Sequence, residues 1–171
     1  MTRLTTVVLL LVMRSGIACG QRPDFSGEWN RVLDSAAARS SVAATGDAAF
    51  RRGDMGSGWG TPLIIRQTPD SLIVEYQHFG TYDLQPNLRF VYRLDGSESR
   101  NTIMVGHADS EQRSRASWQG DTLIVTTTFA APTAGGTTTL RQALSIGADG
   151  TLTLETSREA SRAILTTYRR R

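Results

Sequence analysis

Few residues in this chain could do chemistry. Beside its acids it holds two histidines, His78 and His107, and one cysteine, Cys19. His107 is followed by Asp109 and Ser110 in "GHADSE". A Ser-His-Asp site needs its nucleophile, base and orienting carboxylate to converge in space, which three near neighbours on one polar loop do not do. No Gly-x-Ser-x-Gly elbow is present. Metal binding needs three or four convergent ligands, and two distant histidines among scattered acids make no such set. A haem pocket needs a histidine deep in a cavity, and His78, closing "LIVEYQH", is the only position that fits even loosely. The Gly-rich "GDMGSGWG" (53–60) follows no strand pattern and opens no helix, so it is not a phosphate loop. The expectation is a protein that is not an enzyme and uses no cofactor or metal. Burial of His78 or His107 beside a carboxylate would reverse it.

Charge excludes another class. Arg3 and Arg14 lie in the N-terminal apolar segment; without them 17 arginines face 16 acids, so the remaining chain is almost neutral. The cations are all arginine and are interleaved with acids, with no basic stripe of the kind that tracks nucleic acid. The run Arg169 to Arg171 reads as a solvated tail.

The first twenty residues read as an export signal. Arg3 supplies the positive start, "TTVVLLLVM" (5–13) an apolar stretch too short for a membrane span, and "RSGIACG" a small-residue cleavage region. Cleavage after Gly20 leaves a chain beginning at Gln21 and a single domain over 21–171. "GIAC" is also close to a lipobox, which would acylate Cys19 and anchor the protein to a membrane surface. Gly16 where leucine is usual, and Arg14 within the apolar run, favour free export. The expected location is periplasmic or extracellular, with a membrane-anchored lipoprotein as the alternative. The folded part has no cysteine and must be held by its core alone.

What must position any site is a set of strands. "SAAARSSVAATGDAAFRRGDMGSGWG" (35–60) has no apolar stripe at helical spacing and reads as a flexible insert or lid, with Phe50, Met55 and Trp59 as its anchors. From Thr61 the pattern turns to period two. "LIIRQ" and "LIVEYQ" flank the turn "TPDS", and Leu72, Val74 and Tyr76 share a face. Leu88, Phe90, Tyr92 and Leu94 alternate with Arg89 and Arg93; Ala116 and Trp118 alternate with Arg113 and Arg115. Further runs follow at 122–129, 137–146, 151–157 and 163–169. This makes nine or ten short strands with hairpin-sized turns and no helical crossover, hence an all-β antiparallel fold. An up-and-down barrel of about 8–10 strands hides its edges; a β-sandwich is the alternative.

The stretch "DFSGEWNRVLDSA" resembles the opening of a group of secreted bacterial lipocalin-like proteins. So do "YRLDG", "SRASWQGDTLIV" and "ADGTLTLET", in the same order, over nearly all of 24–169. The resemblance implies a lipocalin-like barrel without a settled activity. It also implies that Gly27 and Trp29 close one end, with an arginine of the last strand, Arg169, over the indole. Tyr76, Phe90, Tyr92 and Trp118 are the candidate interior wall for a small apolar or amphipathic ligand. The bland alternative is that they pack on one another in a filled barrel serving as an envelope interaction module.

Overall fold

Alternation of apolar and polar residues, broken every few positions by Gly, Pro or Asp, leaves this chain little choice but hairpins. The computed structural model describes residues 22–32, 62–77, 87–105, 108–130, 136–158 and 162–171. These hold ten strands: β1 (Gly27–Arg31), β2 (Leu63–Gln67), β3 (Ser71–Gln77), β4 (Asn87–Arg93), β5 (Glu98–Val105), β6 (Ala108–Gln119), β7 (Thr122–Ala130), β8 (Thr137–Ile146), β9 (Leu152–Arg158) and β10 (Ile164–Arg170). All ladders are antiparallel, in the order β4-β3-β2-β1-β10-β9-β8-β7-β6-β5. The first and last strands pair, Trp29 opposite Arg170, so both ends of the domain meet in mid-sheet. The sheet curls into an up-and-down barrel, and the sandwich alternative is set aside. Among the described residues no helix is long and apolar enough to cross a membrane.

The barrel is closed by side chains. Among the described residues no backbone ladder joins β4 to β5. Instead the buried Asn101 of β5 accepts from the Val91 N–H (2.8 Å) and donates to the Val91 carbonyl (3.2 Å). The buried Ser99 hydroxyl accepts from the Arg93 N–H at 2.7 Å. Asparagine can do this because its amide carries the same donor and acceptor as a peptide group.

One end is made of tight turns. In "TPDS" the Thr68 hydroxyl accepts from the Ser71 N–H (3.0 Å), and the Asp70 carbonyl accepts from the Leu94 N–H (2.9 Å). At Asp95 and Asp149 the carboxylate takes the N–H two residues on, from Ser97 and Thr151. Hydrogen bonds from Ser97, then from Arg93, hold the Asp95 carboxyl well below the usual carboxylate range. Gly120, between β6 and β7, takes φ +59°, a left-handed turn position that glycine enters without strain.

Inside, the alternation expected for Leu72, Val74 and Tyr76 and for Leu88, Phe90, Tyr92 and Leu94 holds: all seven are buried. They share one core with Trp29, Leu63, Ile65, Leu123, Val125, Leu144, Leu154 and Tyr168. Outside, Glu75 bridges Arg66 (2.8 Å) and Arg89 (3.1 Å) across three strands. Such exposed pairs add little stability. β5 and β6 run longer than the sequence pattern indicates, because their inward positions are largely polar: Ser99, Asn101, Gln112 and Ser114 are all buried.

Candidate binding site

The closed end is built from the segment before β1. Phe25 is fully buried, and Gln67 of β2 ties this segment down. The Gln67 amide accepts from the Phe25 N–H (3.0 Å) and donates to the Pro23 carbonyl (3.1 Å). Phe25 in turn accepts, through its carbonyl, the indole N–H of the fully buried Trp29 at 2.9 Å. A guanidinium lies over the Trp29 ring at 4.8 Å, and it belongs to Arg170, not Arg169. The reason is parity: Tyr168 points inward in β10, so the side chain two residues on reaches the indole, while Arg169 faces out. Arg169 instead borders a surface groove beside the Gly147–Thr151 turn, with Ile146 and Asp149. Gly27 has φ +144°, and a Cβ there would stand 3.3 Å from Arg170 Nε and 3.5 Å from Trp29 Nε1. Glycine at this position therefore lets the arginine lie across the ring.

The four aromatic candidates do not form one wall. Tyr76, Phe90 and Tyr92 stack in a row, with centroids 6.0 and 6.3 Å apart. Burial pushes the hydroxyls of Tyr76 and Tyr92 above the ordinary value of 10.0, so both stay neutral. Trp118 belongs to the closed end: its ring stacks on Phe25 at 5.8 Å, and Arg22 sits 5.3 Å from its centroid. His78, His107, Cys19 and the 35–60 insert lie outside the described residues. Among the described residues no three His, Cys, Asp or Glu side chains come together as metal ligands.

The polar residues of the inner wall escaped the sequence reading. On β8, β9 and β10, Gln142, Thr156 and Thr166 point into the barrel and are 0%, 1% and 3% exposed. Along their strands they lie beyond Leu144, Leu154 and Tyr168, on the side away from Trp29. Neither polar atom of the Gln142 amide has a hydrogen-bond partner, nor has the hydroxyl of Thr156 or Thr166. Nearby, Ser114 and Thr127 satisfy each other at 2.8 Å. Arg158, the next inward position of β9, lies over the Phe129 ring at 5.6 Å. Threonines in a Thr-rich strand look like ordinary strand formers, so the only sequence signal was Gln142 itself, an amide between Leu140 and Leu144 on the same face.

A scan against protein-family models and a search of curated proteins found no match for this chain.

Proposed function

We propose that this protein is exported and takes a small apolar or amphipathic molecule into its barrel, acting by binding rather than by catalysis. The observation that carries the reading is the group of unpartnered polar atoms on Gln142, Thr156 and Thr166, beside a buried pair, Ser114 and Thr127, that satisfies itself. A buried polar group without a partner costs about 1–3 kcal/mol, and native proteins tolerate few of them. Several on one patch fit a wall that a ligand completes. The apolar remainder of the barrel would take the ligand's hydrocarbon part, at about 25 cal/mol per Å² removed from water. Export and an envelope or extracellular location rest on the N-terminal segment alone.

A second reading has its own support. The stacked and almost unexposed Tyr76, Phe90 and Tyr92 fit a filled barrel that serves as an interaction module. Mass spectrometry of the protein from its native host decides between them. A mass present in the native spectrum and lost on denaturation is the result expected of a retained ligand. A bare native mass, with no uptake of added amphiphiles, overturns the binding reading in favour of the filled barrel. The denatured mass also shows whether the chain starts at Gln21 or at an acylated Cys19.

A further inference from the structure

The three unpartnered side chains are placed to act together. Gln142 is the direct cross-strand partner of Thr156, and Thr166 pairs with Leu154, the preceding inward position of β9. Direct partners hold their Cβ atoms about 4.5–5.5 Å apart, with diagonal neighbours a little further away. Gln142 and Thr156 are thus side by side, while Thr166 lies on the diagonal of Thr156, with β8 and β10 about 10 Å apart across β9. Val125, Leu140, Leu144 and Leu154 surround the patch.

Its chemistry narrows the ligand. The Gln142 amide presents one acceptor and one two-proton donor side by side, and both are open. The complement must offer a donor and an acceptor on adjacent atoms. A carboxylate has acceptors only: it would satisfy Nε2 and set its second oxygen against Oε1. An ether supplies no donor, and a quaternary ammonium supplies neither and carries a charge into an apolar wall. A carboxamide or lactam supplies both. The two threonine hydroxyls donate or accept as the remaining edge requires. The molecule holds its own precedent: Gln67, at the closed end, bonds to one peptide N–H and one peptide carbonyl.

Taking the barrel as a binding protein, as proposed above, we infer that it selects a neutral amphiphile whose head is a carboxamide or lactam, seated on Gln142, Thr156 and Thr166. Arg158 stands one inward position further along β9 and marks the competing outcome, an anionic head.

The test holds the tail constant and varies the head. Dodecanamide, dodecanoate, dodecyltrimethylammonium and dodecyl methyl ether compete for the purified full-length protein under native mass spectrometry. The amide is expected to bind about tenfold or more tighter than the ether, the factor that one well-made bond to a buried polar group supplies. In Gln142→Met the amide-over-ether preference should collapse to below about threefold. Thr156→Val, a smaller change, should lose part of the preference and serves if Gln142→Met does not fold. Equal binding of all heads, an amide preference unchanged in the variants, or a preference for dodecanoate would each overturn the inference while leaving the binding reading in place. If none of the four binds, both fall.

Discussion

Gln67 and Gln142 are both glutamines on the barrel, and they are treated in opposite ways. At the closed end the Gln67 amide is used on both sides, clasping the Phe25 N–H and the Pro23 carbonyl. On the far side of Trp29 the Gln142 amide is more deeply buried and bonds to nothing. At the closed end Trp29 is fully buried, donates to Phe25 and lies under Arg170, while the neighbouring Trp118 indole N–H has no partner. The wall at Gln142 leaves that amide unmatched by the protein's own groups. Polar side chains in a barrel interior do not all have one meaning: the Gln67 amide is matched from within, and the Gln142 amide is not.

That contrast can be broken or sharpened by substitution. Trp29→Ala should have the largest effect, a loss of about 3–5 kcal/mol for deletion of a buried aromatic, read by denaturant unfolding. A loss under about 1 kcal/mol would remove the closed end from its structural role. Asn101→Leu comes next, because it orphans the Val91 N–H and carbonyl at about 1–3 kcal/mol for each group. Gly27→Ala should follow, at about 1–3 kcal/mol for a side chain held at φ +144°. Its indole fluorescence should also shift as Arg170 is displaced from Trp29. Gln142→Met carries the opposite sign: removing an unmatched buried amide should raise stability by about 1 kcal/mol. A Gln142→Met that destabilises as Asn101→Leu does would erase the distinction between matched and unmatched amides. Glu75→Gln should change stability by less than about 1 kcal/mol, since its two arginine partners are largely exposed.

Much of this was legible in the sequence where one face is apolar. Leu72, Val74 and Tyr76, or Leu88 to Leu94, alternate so plainly that only their parity can satisfy the core. The turn "TPDS" was legible because Pro and Asp act through local backbone preferences, whereas the Gly27–Trp29 pair was reached only through the resemblance. β5 and β6 were cut short because "ESRN" and "SEQRS" place polar residues on both faces, and alternation of polar with polar carries no signal. Their inner members are satisfied by partners distant in the chain, Ser114 by Thr127 and Asn101 by β4, which periodicity cannot report. Arg170 was within reach: among three consecutive arginines only the one in phase with Tyr168 can meet the indole. The unmatched state of Gln142 is a property of three-dimensional neighbours and has no trace in composition or spacing.

The side-chain closure between β4 and β5 also sets how the barrel breathes. Every other neighbouring pair of strands is joined by a continuous antiparallel ladder, whose opening breaks many bonds at once. Here, among the described residues, the Ser99 and Asn101 side chains bond across the junction in place of a ladder. Rotation of either about its own χ1 releases a backbone amide without moving a strand. In deuterium oxide the Val91 and Arg93 amides should therefore exchange ahead of those in the β6–β7 ladder, by a local opening that leaves the rest of the protein folded. The barrel is a ring in shape whose β4–β5 seam, among the described residues, is bridged by an asparagine and a serine.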